Sequence, residues 1–446
     1  MTGTSWPEGI STKRQRIAKL AQQMPEKAIW SLSHHMDLAW IHEAYRRTRK
    51  TGAVGVDGQT SDEYAEDLEA NLQSLLGRAK SGRYRAPPVR RVHIPKGDGS
   101  KTRPIGVPTF EDKVLQRAVV MLLEPIYEQD FYDFSYGFRP GRSPHDAVEE
   151  LDNGIHRMGG GWILDVDVQS FFDSLDRKKL RDLLRQRVVD GVVVRLIGKW
   201  LRAGVLEGKV LKYSDLGTPQ GGVISPLLAN IYLHEVLDKW WTQEALPRLE
   251  GEAFLIRYAD DFVVVFSNRE DALRVQRVLP ERFARFGLTL HPEKTRLVRF
   301  WRPPPHGGGP KPGSFDFLGF TFYWGRSRQG RMVLRQKTAK ERFSRAIRAT
   351  SQWMRGHRHL PVKVQATALG QKLRGHFNYY GIPGNSKALG RYLCAVQRLW
   401  RYWLSRRTQR RHARMPWVKF KRLLKRHPLP PARLPRRCRQ LRLANL

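Results

Sequence analysis

Apolar residues recur every three or four positions over 12–50 and 60–80, as in Leu68, Leu72, Leu75 and Leu76, and this spacing predicts helices that each bury one stripe. Residues 84–108 hold short β-like pieces broken by Pro and Gly, VRRVHIPKGDGS among them, the pattern of a hairpin. Beyond them the chain predicts helices at 111–128 and 143–158, a strand at 162–168, helices across 177–203 and a helix at 225–245. Strands at 253–258 and 262–266, a helix at 270–286 and a strand at 295–300 follow. This order implies an α/β or α+β sheet with helices packed on one face. No internal repeat of fixed period is visible.

Charge changes this picture. The 446 residues suffice for two or three domains, and Lys plus Arg exceed Asp plus Glu by 38, which calls for a polyanionic partner. Nucleic acid is the first candidate and an acidic membrane the second. Residues 331–446 hold 31 Lys/Arg and one acid, Glu341, a net of +30. The break follows RPPPHGGGPKPG at 302–313 and the apolar FDFLGFTFYW, so a domain boundary is expected near Arg326 to Arg331. Within the basic region Tyr392, Val396, Leu399, Trp400 and Trp403 recur at helical spacing with arginines between them. Basic helices on a small core are expected. Rings interleaved with guanidinium groups suit RNA, which offers phosphates and unstacked bases; a solvated basic face is the alternative. The last residues, with PLPPARLPRR, predict an extended arm. Two cysteines, Cys394 and Cys438, supply neither a disulfide framework nor a four-cysteine zinc site, so a reducing compartment is expected. No run of about 18 apolar residues and no signal-peptide-like start occurs, which predicts a soluble intracellular protein.

Two segments place carboxylates where metal chemistry needs them. In WILDVDVQSFFD an apolar strand carries Asp165 and Asp167 on one face, with Asp173 past a turn. In FLIRYADDFVVVF two apolar strands flank Asp260 and Asp261, which puts these acids in a tight hairpin turn. Such a cluster suits hard divalent cations. An Asp pair also simply makes a turn, and an acid after a strand also caps the next helix. Two Mg²⁺ ions about 4 Å apart would activate an attacking hydroxyl and stabilise a pyrophosphate leaving group. Competing motifs fail: HEAYR and HEVLD lack the second His of a zinc helix, and GGPKPGS lacks the GK[ST] ending of a phosphate loop.

These residues carry a resemblance. YADD at 258–261 looks like the hallmark of reverse transcriptases, and the chain around it resembles group II intron reverse transcriptase/maturases in order and spacing. The matching blocks are GVDG (55–58), KTRPIGVPT (101–109), SYGFRPGRS (135–143), DVDVQSFFD (165–173), GTPQGGVISPLLANIYL (217–233), YADD, GLTLHPEKT (287–295) and FDFLGF (315–320). LRGHFNYYG (373–381) is similar to the signature of the thumb or maturase domain, and the resemblance covers roughly residues 30–430.

It implies an α+β right-hand polymerase: an N-terminal extension (1–54), reverse transcriptase fingers and palm (55–330), an α-helical thumb/maturase RNA-binding region (331–430) and a basic arm (431–446). Carried over residue by residue, it makes Asp167, Asp260 and Asp261 the catalytic triad, with Val168 joining them in holding metal: two Mg²⁺, with Mn²⁺ as a substitute. Phe172 matches the position that packs beneath the incoming sugar and rejects a 2′-hydroxyl, a core aromatic being the alternative. Gln220 resembles the residue against template and nucleotide, and Lys101 and Arg103 those that bind the triphosphate. Arg139 and Arg142 are expected at the template, and Leu318 and Gly319 at a primer grip. Arg374, Asn378, Tyr379, Tyr380, Arg398 and Arg401 are expected on RNA.

The implied partners are group II intron RNA, an RNA template with DNA primer, target DNA and dNTPs, with no membrane. The implied place is a bacterial or archaeal cytoplasm at the nucleoid. Splicing assistance and copying of the intron into DNA are the implied functions, with a splicing-only cofactor or a host-adopted enzyme of defence or repair as rivals. Departures from the pattern count too. Two cysteines leave no metal-dependent nuclease module of the kind many relatives carry, so DNA cleavage is not expected and the primer would come from elsewhere, such as a nascent strand at a replication fork. His291 stands where Asn is commoner.

Overall fold

The structure, a computed structural model, describes residues 6–96, 101–208, 210–212, 221–304, 310–407 and 415–434. By packing the chain separates into two units, one up to Leu297 and one from Val298. The mixed α+β architecture agrees with the sequence reading.

In the first unit, α1 (Glu8–Gln23), α2 (Leu38–Arg47), α3 (Ser61–Ala65) and α4 (Leu68–Ser81) precede a hairpin of β1 (Val89–Lys96) and β2 (Lys101–Val107). Then come α5 (Phe110–Asp130), α6 (Pro144–Met158), β3 (Trp162–Gln169), the one-turn α7 (Phe171–Ser174), α8 (Arg177–Arg187) and α9 (Gly191–Arg202). β4 (Val205–Glu207), β5 (Val210–Lys212), α10 (Ser225–Leu233), β6 (Ala253–Tyr258), β7 (Asp261–Phe266), α11 (Arg269–Arg285), β8 (Thr289–Leu290) and β9 (Arg296–Arg299) follow. Side-chain caps set many of the starts: Ser143 and Asp146 form a reciprocal capping box around Pro144, and Asp176 and Asp190 accept from the first turns of α8 and α9.

Two expectations about extent needed the tertiary structure. The helical pattern over 12–50 breaks at 24–37, because Ile29 bridges Val188 and the amides of Leu32 and Ser33 donate to Asp190. The helix expected over 225–245 is continuous but passes into wider π-type turns at His234–Asp238 and Trp241–Ala245.

A central antiparallel sheet runs β6-β7-β3-β8, and β9, within which the first unit ends, also pairs with β3. A second sheet runs β2-β1-β4-β5, with β1 and β4 parallel. Helix α11 packs on β3 and β7, and α6 on β6. Leu164, Val166 and Val168 enter the core beside Phe262, Phe283 and Leu228. Strand alternation therefore puts Asp165 and Asp167 on the other face.

The second unit opens with an antiparallel sheet of β10 (Phe315–Phe317), β11 (Phe320–Arg326) and β12 (Met332–Thr338). Then come α12 (Lys340–Gly356), α13 (Val362–Tyr380), α14 (Ser386–Leu404) and α15 (Trp417–Arg426). Leu373, Phe377, Tyr392, Val396, Trp400 and Phe420 form its core, and the Trp400 indole donates to Gln365 Oε1 at 2.9 Å. Packing changes at Leu297/Val298, whereas charge changes near residue 330, because the neutral β10–β11 hairpin belongs with the basic helices: the Ala339 amide donates to the Gly319 carbonyl at 2.9 Å. Of the arm at 431–446, Ala432 and Leu434 pack against this core, and residues 435–446, Cys438 included, lie outside the described residues. Among the described residues no helix is long and apolar enough to cross a membrane.

Candidate active site

Register builds the carboxylate corner. β3 and β7 are antiparallel with Asp167 facing Asp261, and Tyr258 pairs with Asp261 across a turn whose tip is Ala259 and Asp260. Ala259 takes a left-handed φ of 56°, which costs energy for a residue with a Cβ and needs support.

The support comes from Arg257, fully buried one residue before Tyr258. Its guanidinium donates to both oxygens of Asp238, at 2.7 and 2.5 Å, to Asn230 Oδ1 at 3.0 Å, to Ser135 Oγ at 2.7 Å and to the Ala259 carbonyl at 3.3 Å. Asn230 Nδ2 in turn donates to the Gly137 carbonyl at 2.6 Å. The 134–136 backbone exchanges hydrogen bonds with Arg257, and a Cβ on Gly137 would lie 2.3 Å from the Ala259 nitrogen. The 134–137 segment and the 225–245 helix thus converge on the turn. Sequence reasoning missed Arg257, Asp238 and Asn230; the available signal was an arginine inside the apolar run FLIRY, where a charge persists only if paired.

Electrostatics single out Asp260. Burial raises its carboxyl above the ordinary value; its own backbone donor and Arg103 oppose this, and the like charge of Asp167 adds to it. Arg103, exposed on β2, therefore lies within electrostatic reach of the corner. Lys294 Nζ donates to Asp167 Oδ2 at 2.5 Å, and Arg296 Nε to Asp165 Oδ2 at 3.3 Å. The His291 amide donates to the Asp167 carbonyl at 2.8 Å, so His291 supports the site through its backbone, a bond that Asn would supply equally.

The donors at this corner are oxygens of like charge, which suit a hard divalent cation. Among the described residues no three acidic, His or Cys side chains converge tightly enough to enclose one. The Val168 side chain is 5% exposed and belongs to the core, so only its backbone remains as a ligand.

Residues 94–322 match the family profile described as reverse transcriptase (RNA-dependent DNA polymerase). The chain belongs to the reverse transcriptase family. It is 33% identical over 359 residues to Protein YkfC of Escherichia coli strain K12, covering 72% of this chain and 91% of that one. It is 28% identical over 462 residues to the group II intron-encoded protein LtrA of Lactococcus lactis subsp. cremoris, covering 84% of this chain and 74% of the relative. A nuclear intron maturase 1, mitochondrial, of Arabidopsis thaliana is 31% identical over 139 residues, which is 30% of this chain and 19% of the relative. The chain is thus a reverse transcriptase of the group II intron-encoded type.

The remaining expected residues of this reverse transcriptase divide by location. Phe172 follows a left-handed Ser170 (φ 46°) and packs half-buried and edge-on to Phe171. Gln220 and the Lys101 side chain lie outside the described residues. The segment after Gln220 is pinned: a Cβ on Gly221 would lie 2.5 Å from the Gly106 carbonyl, and the Ile224 amide donates to Gln116 Oε1 at 3.3 Å.

Arg139, expected at the template, is instead a core partner. It is 6% exposed and commits its donors to the Glu128 carboxylate and to the carbonyls of Tyr132 and Ser135. Arg142 holds the carboxylate and carbonyl of Asp133. Beside them Phe138, which the sequence did not single out, is 57% exposed with a left-handed φ of 58° and its ring 6.2 Å from Tyr258.

In the second unit, Leu318 and Gly319 form the β10–β11 turn with φ of 49° and 81°, and the Tyr379 hydroxyl donates to the Leu318 carbonyl at 2.9 Å. Arg374, Asn378 and Arg398 are exposed. Tyr379 and Tyr380 pack on Phe320, and Arg401 lies over the Trp417 ring and donates to the Met415 carbonyl. Those three, expected on RNA, therefore serve internal packing first.

Proposed function

We propose that this reverse transcriptase adds dNTPs to a DNA primer 3′-hydroxyl on an RNA template, releasing pyrophosphate, with Asp167, Asp260 and Asp261 as its catalytic carboxylates. The observation that carries the reading is the facing register of Asp167 and Asp261 with Asp260 at the adjoining turn. Magnesium bound there would supply charge neutralisation for the nucleophile and the leaving group. The chain's own residues do the rest. Arg103 grips the triphosphate with paired donors, and Phe172 closes the space beneath the sugar. The Arg257 network holds the turn in place throughout, so no reorganisation is needed at the moment of reaction.

The group II intron character of the relatives extends the proposal: this chain binds an intron RNA, assists its splicing and copies it into DNA in a bacterial or archaeal cytoplasm, at the nucleoid. Arg374 and Arg398, exposed on the basic second unit, are the RNA contacts this reading uses. The polymerase role is tested by primer extension on an RNA template annealed to a DNA primer, with Mg²⁺ and dNTPs. The wild type is expected to extend the primer, and the Asp260→Ala/Asp261→Ala variant to bind RNA without extending the primer. A well-folded wild type that binds RNA and makes no DNA would leave a splicing cofactor.

A further inference from the structure

Two neighbouring helices carry arginines that the site does not use. Helix α8 presents Arg181 and Arg185 one turn apart, and α9 presents Arg195 and Arg202 two turns apart. The four line an open cleft of about 360 Å³, and among the described residues no acid lines it. Its floor is bare: a Cβ on Gly191 would meet nothing within 4 Å, and one on Gly198 only the Arg202 guanidinium at 3.8 Å.

The contrast with Arg187 on the same helix is informative. Arg187 is buried and spends its donors on Asp130 and on the carbonyls of Ala21, Met24 and Lys27. Arg181, by comparison, leaves its buried Nε without a hydrogen-bond partner among the described residues, and Arg185, Arg195 and Arg202 are exposed. Of the acids on or beside these helices, the Asp190 carboxylate accepts from the amides of Leu32, Ser33, Val192 and Val193, and Asp182 does not line the cleft. The ammonium of Lys199 is lowered by burial and then by the charges of Arg195, Arg202 and Arg85. Like charges gathered around one concavity repel each other until a polyanion enters, and planar guanidinium forks fit phosphate oxygens in pairs.

We propose that the α8–α9 cleft binds the phosphodiester backbone of RNA, as a docking surface that shares no residue with the carboxylate corner. This rests on the reading that RNA is the protein's ligand. The cleft would hold a folded RNA against the first unit, in addition to any contact made by the basic second unit.

The test uses the full chain and fluorescence anisotropy with an RNA hairpin, and with a DNA duplex of the same sequence, across a salt series. The variants are Arg185→Gln/Arg202→Gln, which touch only exposed side chains, and Arg185→Lys/Arg202→Lys, which keep the charge. Hairpin affinity is expected to fall about 10-fold in the Gln variant, with the salt slope smaller by about 0.7–0.9 for each phosphate left without its arginine. The Lys variant should recover most of the slope. Extension of a pre-annealed template and primer at saturating enzyme should match the wild type. Unchanged affinity and slope in the Gln variant would overturn the proposal, as would an equal loss for duplex DNA. Failure of the wild type to extend, with the cleft effect intact, would remove the polymerase reading and leave the RNA surface standing.

Discussion

Arg257 and Asp238 form a bidentate ion pair in which both side chains are fully buried, one residue before the Tyr258–Asp261 turn. A pair removed from water this completely gives little net stability, yet losing one partner strands the other charge, at a cost of about 3–5 kcal/mol. Asp238→Asn is therefore expected to lower unfolding free energy by that order in urea titration. Arg257→Lys keeps the charge but not the fork that reaches Asn230, Ser135 and Ala259. It should fold and extend primers with reduced kcat at a little-changed dNTP KM.

Gly137 tests the same turn from the other side. Gly137→Ala would push a methyl against the Ala259 nitrogen, a backbone atom that has no rotamer with which to yield. A displacement of about 1 Å at a catalytic group costs on the order of 10²-fold in rate. Single-turnover extension should fall by that order while RNA affinity, measured by anisotropy, stays within twofold of wild type.

Phe172 packs half-buried on Phe171 next to the carboxylate strand. Phe172→Ala opens the space beneath an incoming sugar, so the ratio of dNTP to rNTP incorporation should fall by about 10-fold or more. An unchanged ratio, with a loss of stability alone, would assign Phe172 to the core.

His376 makes stability in the second unit depend on pH. Burial lowers its pKa to about 4, its Nε2 has no hydrogen-bond partner among the described residues, and its ring stacks on Tyr392 with centroids 3.8 Å apart. The folded value lies below the unfolded value of about 6.5, so between these limits the unfolded chain binds more protons. Stability should be fully present above about pH 6.5 and lost as pH falls toward 4. Allowing for partial exposure, the loss should be about 1–2 kcal/mol. His376→Phe should flatten the dependence in denaturation curves taken at about pH 7 and pH 4.5.

Much of the architecture was legible in the order of residues alone. Strand alternation in WILDVDV put Asp165 and Asp167 on one face, and the apolar runs around Asp260 and Asp261 put these acids at a hairpin turn, because both follow from the period of two that any strand obeys. The β1–β2 hairpin and the helices after Ser143 and Asp176 were likewise carried by local signals: a Pro/Gly break and capping side chains.

Only the tertiary structure decided partners. Arg139 and Arg187 are surface-like residues in sequence, and both became buried because carboxylates and carbonyls remote in the chain met them. Arg181 and Arg185, similar in kind and on the same helix as Arg187, instead face an open cleft. Asp167 facing Asp261, Lys294 on Asp167 and Arg257 on Asp238 each join residues of different elements. A sequence states which side chains are available and with what period they recur. Whether a charge ends in a core, on a carboxylate or before a ligand depends on which remote groups the packed elements bring within hydrogen-bond distance, because a buried charge is tolerated only where such groups are present.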